Sequence, residues 1–183
     1  IYYPDSGTIY VDGEEKVIAS PKDAFACGIG MIHQHFKLVD VFTATENIVL
    51  GIGCKYNLKA AKKRIVEMSE RYGFDIDPDK KVYDMAVSEK QTVEIVKALY
   101  RGANILILDE PTAVLTPAET DKLFAVLRAM KADGKSIIII THKLNEVMSI
   151  SDRVAVLRKG EHIGTVILKI FVQTFAPSIS AYS

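Results

Sequence analysis

Ile105 to Leu108 form an unbroken apolar run closed by Asp109, Glu110 and Pro111, and Ile137 to Ile140 form a second, closed by Thr141 and His142. Such runs predict strands buried on both faces, the kind found in parallel sheets. Between them, Thr116 to Ala132 has helical spacing, with Thr116, Pro117 and Glu119 as its start signal. The three segments make a strand-helix-strand unit. In an open parallel sheet ligands bind beyond the carboxyl ends of the strands, so the acid pair and the histidine are expected to face one site. Asp, Glu and His there suit metal-assisted hydrolysis.

The same reading orders the rest of the chain. Thr8 to Asp12 alternates Ile9 and Val11 with polar neighbours, which predicts a half-buried antiparallel strand between turns at Gly7 and Gly13. Ser20 and Pro21 start a short helix that Gly28 ends, and Ile29 to His33 then predicts a strand leading into Gln34. Thr45 to Tyr72 reads as helical, with Leu58, Ala61, Ile65, Met68 and Tyr72 on one face and Gly73 as the stop. Ser88 and Gln91 match a capping box for a helix carrying Val93, Val96 and Leu99 or Tyr100, ended by Gly102. After His142 come a helix around Leu144 to Ile150, a strand at Arg153 to Leu157, a turn at Lys159 and Gly160, and a strand near His162 to Val166. The expected architecture is an α/β sheet core, residues 1–41 and 90–166, with a helical subdomain inserted at 42–89 and an atypical tail at 167–183.

Composition narrows the class. At 183 residues and 49% apolar content the chain can bury a core. Lys plus Arg and Asp plus Glu both number 23, so net charge gives no argument for nucleic acid or an anionic membrane surface. No apolar run approaches membrane-spanning length, and Cys27 and Cys54 lack metal-type spacing. His33 and His35 share a strand face, but two imidazoles without a third ligand do not define a metal site. The opening at Ile1, inside what reads as an element, leads to the expectation of a fragment with sequence missing upstream.

GMIHQ at Gly30 to Gln34, VSEKQ at Val87 to Gln91, ILILDEPTAVLTPAE from Ile105 and IIIITHK from Ile137 together resemble the ATP-binding cassette of an ABC transporter over roughly residues 1–166. The wording of GMIHQHFKLVD, VEIVKALYRGANILILDEPTAVLTP and THKLNEV is most similar to the first cassette of importer subunits for simple sugars and nucleosides. The resemblance implies a P-loop NTPase-like (RecA-like) parallel sheet core with a small antiparallel part and an inserted helical subdomain. It implies ATP and Mg²⁺ as ligands, with Asp109 and Gln34 holding the metal, Glu110 acting on the attacking water and His142 bonding the γ-phosphate. Ala86, Val87, Ser88 and Glu89 occupy the signature segment, which would touch nucleotide held by a second cassette. Transmembrane permease subunits are the other implied partner, on the inner face of the cell membrane, and no contact with nucleic acid or direct membrane span is expected.

Two departures bear on activity. No stretch matches GxxxxGKS or GxxxxGKT; Gly134, Lys135 and Ser136 come nearest, but Ala129 stands at the first glycine position and a helix precedes them where a strand is needed. The expectation is that the phosphate loop lies upstream and that this stretch alone binds ATP poorly. The signature segment, LSGGQ or LSVGE in the family, reads Met85 to Glu89, where Ala86 lacks the hydroxyl and Ser88 replaces a glycine. Thr92 stands where the family commonly has arginine, and Thr116 where it has aspartate. These leave open a non-catalytic regulatory cassette and a non-transport cassette ATPase. The tail from Ile167 shows no clear period, as expected after a change of reading frame or at a sequence-assembly edge.

Overall fold

The computed structural model describes residues 5–52 and 57–168, which form two compact units, one ending at Ile140 and one beginning at Thr141. The first few residues, Cys54 and the tail beyond Leu168 lie outside the described residues.

In the first unit a hairpin pairs β1 (Ile9–Val11) with β2 (Glu14–Lys16) in antiparallel register, Tyr10 opposite Glu15. Asp12 and Gly13, at φ 53 and 80, make the two-residue turn that such hairpins favour. The alternation of apolar and polar positions carried no sign of β2, which is three polar residues. Ser20 caps α1 (Pro21–Ala26), its hydroxyl accepting the Asp23 amide at 3.3 Å. β3 (Ile29–Ile32) comes next and ends one residue before His33.

β3, β4 (Ile105–Asp109) and β5 (Ser136–Ile140) form a parallel sheet in that order, Ile32 pairing with Leu108 and Asp109 with Ile140. Between β4 and β5 runs α5 (Pro117–Ala132), whose N-cap Thr116 and Glu119 complete a reciprocal capping box. The expectation that both isoleucine-rich strands are buried on two faces needs correction. Leu106 and Leu108 are fully buried, but Ile138 and Ile140 are 49% and 48% exposed, because among the described residues only one face of β5 is covered.

The connection from β3 to β4 holds the helical layer: α2 (Ala44–Val49), α3 (Leu58–Tyr72), a 3₁₀ turn (Val82–Asp84) and α4 (Val87–Tyr100). Ala44, Ile48, Ile65, Val82, Met85, Val93 and Val96 meet there in one buried cluster. The region expected to be helical from Thr45 to Tyr72 holds two helices, each with its own cap, Thr43 for α2 and Asn57 for α3. Leu58 is exposed at the cap turn, and the buried stripe runs through Ala61, Ile65, Ser69 and Tyr72. Ser69 joins it because its hydroxyl donates to the Ile65 carbonyl at 2.8 Å.

The start of α4 differs from the expectation too. Ala86, not Ser88, is the N-cap; it has no side-chain oxygen to offer, and only the return half of a box exists, the Ala86 N–H donating to Glu89 Oε2 at 2.7 Å. Ser88 and Gln91 lie inside the helix.

The second unit comprises α6 (Leu144–Ile150) and a hairpin of β6 (Arg153–Arg158) with β7 (Glu161–Ile167), turned at Lys159 and Gly160. β7 runs one residue past the expected tail boundary.

Candidate functional site

β3 and β4 are in parallel register, so their carboxyl ends lie side by side and bring the loop after Ile32 and the turn after Asp109 to one place. A cleft of about 120 Å³ opens there, and Gln34, Asp109 and Glu110 all line it, with His33, His35 and Gln91. The structure therefore brings together three of the residues singled out in the sequence.

The turn bearing the acids is unusual. Glu110 sits at φ 47, in the left-handed region that a side chain larger than glycine seldom adopts. Its N–H is held by the Ile140 carbonyl at 2.9 Å, and its carbonyl accepts the Ala113 N–H at 3.2 Å. Pro111 and Thr112 behind it are buried. A strained, pinned residue at a strand end is a recurrent mark of a functional turn.

The loop after Gln34 is fixed by buried polar groups that the sequence reading missed. Glu94 accepts the Lys37 N–H at 2.9 Å, Lys97 donates to the Lys37 carbonyl at 3.1 Å, and Asn47 bonds both main-chain groups of Val39, at 2.7 and 3.0 Å. Burial lowers the Lys97 pKa, against the opposing pull of Glu94. The available signal was a polar residue inside an apolar helix: Gln91 and Glu94 lie three apart among Val93, Ile95 and Val96.

The signature residues do not line this cleft. Ala86 and Val87 are exposed at the start of α4, while Ser88 and Glu89 border a separate cavity of about 530 Å³ between the end of α3, the start of α4 and α5. The bonds of Lys80 to both Glu89 oxygens, at 2.7 and 2.8 Å, hold that carboxyl below the ordinary glutamate range, helped by the Ala86 amide. Glu119 is held low chiefly by the Thr116 amide, then by the hydroxyls of Ser88 and Thr116. Ser88 thus spends its hydroxyl on a neighbouring helix and caps nothing. His142 belongs to the second unit, two residues beyond Ile140 in the chain, and is exposed.

A parallel sheet with acids at a strand end, a helical layer in its crossover and a small antiparallel pair is the architecture of an ATP-binding cassette of the P-loop NTPase class. Residues 1–113 match the sequence profile of the ABC transporter family, and the chain belongs to that family. It is 53% identical over 167 residues to the nucleoside import ATP-binding protein NupA of Lactococcus lactis subsp. cremoris, a match covering 89% of this chain and 33% of that protein. It is 42% identical to the ribose import ATP-binding protein RbsA 1 of Burkholderia thailandensis, covering 90% of this chain and 34% of that one. The chain thus spans about one third of the length of these curated relatives. Among solved structures, cbiO1 of Clostridium perfringens, part of the ABC transporter complex cbiONQ, superposes with a TM-score of 0.78 at 27% identity, over 98% of this chain and 76% of that one.

Proposed function

We propose that the chain is part of an ATP-hydrolysing subunit that energises import of a nucleoside or sugar through a membrane permease. The observation that carries this reading is the convergence of Gln34, Asp109 and Glu110 on one cleft at the strand ends; the import functions named for the relatives support the substrate class.

The donors suit Mg²⁺. Asp109 and Gln34 offer hard oxygens, and among the described residues no group of three or more His, Cys, Asp or Glu could cage a metal. Two protein oxygens, with waters and phosphate oxygens completing the shell, are what Mg²⁺ takes. Bound there, the ion would neutralise charge on the terminal phosphates. Glu110 orients the attacking water and accepts its proton as the water oxygen bonds to the γ-phosphorus and ADP leaves. His142 donates a hydrogen bond to a γ-phosphate oxygen. Ala86, Val87, Ser88 and Glu89 face nucleotide held by a second cassette, through the main-chain N–H groups at the start of α4.

The permease would dock on the surface beyond Gln34. Val39, Val41 and Tyr83 are 36%, 62% and 57% exposed, and Tyr83 is tied to that surface by its N–H bond to the Asp40 carbonyl at 3.0 Å. Clustered exposed apolar side chains are typical of contact surfaces. Among the described residues no helix is long and apolar enough to cross a membrane, so coupling would run through that contact.

The test is ATP turnover by the full-length protein with its permease, with and without Glu110→Gln. The substitution is expected to lower turnover by about 100-fold or more; equal rates would remove Glu110 from this role. A second reading, a regulatory cassette that binds without turnover, is favoured by Ala86 at the cap of α4. Nucleotide binding with no hydrolysis in the unaltered protein would select it.

A further inference from the structure

Gln91 is a polar side chain that helix α4 buries, with 4% of its surface exposed, among Val93, Ile95 and Val96. Burying an amide is unfavourable unless it is hydrogen-bonded. Its Nε2 donates to the main-chain carbonyl of Pro111 at 2.7 Å, twenty positions along the chain.

That carbonyl belongs to the residue directly after Glu110. A residue before proline is steered to extended backbone, yet Glu110 holds φ 47. The conformation persists because the surroundings fix it: the Ile140 carbonyl holds the Glu110 N–H from the sheet side, and Gln91 holds the next carbonyl from the helix side. Proline's ring fixes its own φ, so pinning its carbonyl removes the remaining freedom of the turn.

Gln91 is also the one residue shared by the lining of the cleft holding Gln34, Asp109 and Glu110 and the larger cavity bordered by Ser88 and Glu89. It stands two positions after Glu89 on the same helix. A rigid displacement at the start of α4 therefore carries Gln91 with it and draws on the Pro111 carbonyl.

We infer that Gln91 is a positioning residue for Glu110: by holding the Pro111 carbonyl it fixes the turn that aims the carboxylate, and it ties that aim to the seating of the signature segment. The inference rests on the proposed role of Glu110. It predicts a chemical defect without a binding defect. In the full-length protein, Gln91→Leu, which keeps bulk and removes the donor, lowers kcat for ATP roughly tenfold while the nucleotide Kd stays within about twofold. Gln91→Glu keeps the shape but turns an acceptor toward the carbonyl, and shows the same split if the leucine variant fails to fold. In a Glu110→Gln background, Gln91→Leu causes no further loss of the residual rate, because the group it aims is gone.

A kcat at the unaltered level in both Gln91 variants, beside a Glu110→Gln protein that has lost turnover, overturns the Gln91 role and leaves the Glu110 reading standing. An undiminished rate in Glu110→Gln itself overturns the Glu110 reading first. Parallel loss of Kd and kcat, or equal losses in both backgrounds, makes Gln91 a packing residue and ends the inference.

Discussion

The carboxylate of Glu94 accepts the main-chain N–H of Lys37 at 2.9 Å across 57 positions of sequence, and the Lys97 ammonium, 3.9 Å from that carboxylate, donates to the carbonyl of the same Lys37. Both main-chain polar groups of one loop residue are thus held by α4, three residues after Gln34. Glu94 is 9% exposed, so its removal leaves the Lys37 N–H without its protein acceptor and a partly buried cation without its partner. Glu94→Leu is expected to cost about 1–3 kcal/mol. The sharper readout is amide exchange: Lys37 exchanges at least about tenfold faster, while Leu106 in the central strand keeps its protection. Unchanged protection at Lys37 would show that the loop is held by other means.

How much of this was legible in the sequence depended on whether the partner was local. β4 and α5 could be read because an apolar run and a capping box carry their signals within a few residues, and Asp109 and Glu110 at one strand end were implied by the run itself. Glu94 and Asn47 were not read as structural, and Gln91 only as a capping partner, because a charged or amide residue in a helix ordinarily marks its solvent face. Their partners, Lys37, Pro111 and Val39, are chosen by tertiary packing. The start of α4 misled for a different reason: Ser88 and Gln91 fit a capping box, but Lys80 and the Ala86 amide both bind Glu89, which moves the helix start two residues earlier. β5 was read as doubly covered because an all-isoleucine run has no period to show that, among the described residues, one of its faces is uncovered.

Tyr72 at the end of α3 and Asp133 at the end of α5 make a pH-bounded tie. The Tyr72 hydroxyl donates to Asp133 Oδ2 at 2.5 Å, and Arg71 bonds the other carboxylate oxygen. Burial, then the Asp133 bond, raises the Tyr72 pKa above the ordinary tyrosine range; the Tyr72 bond, then Arg71, lowers that of Asp133. The raised phenol contributes stability that is complete below the ordinary tyrosine pKa and lost as pH rises through the folded value. The lowered carboxyl contributes stability that is present above the ordinary aspartate pKa and lost as pH falls through the folded value. The stability gap between the protein and its Tyr72→Phe variant should therefore be widest at neutral pH and shrink at both extremes. Denaturant melts across pH check this; a gap independent of pH would mean the pair does not act as a hydrogen-bonded unit.

Gly30, in the middle of β3 opposite Leu106, faces the small residues Ala98 and Ala103 at close range. A Cβ there would lie 3.0 Å from Ala98 Cβ on α4 and 3.1 Å from Ala103 Cβ, tighter than nearly all real contacts. Ala98 and Ala103 are 7% and 4% exposed and already small, so relief requires β3 and α4 to move apart by a few tenths of an ångström. Gly30→Ala gains about 0.5–1 kcal/mol by restricting the unfolded chain and loses about 1–3 kcal/mol to overpacking, for a net loss of about 1 kcal/mol. Ala98→Gly removes the nearer of the two obstructing methyls but costs about 1 kcal/mol of helix propensity on its own. If the clash is the cause, the two changes are not additive, and the double variant is more stable than the sum of the singles by about 1 kcal/mol. Denaturant midpoints of the four proteins measure this coupling, and strict additivity would show that the strand-to-helix spacing at Gly30 does not limit what the position can hold.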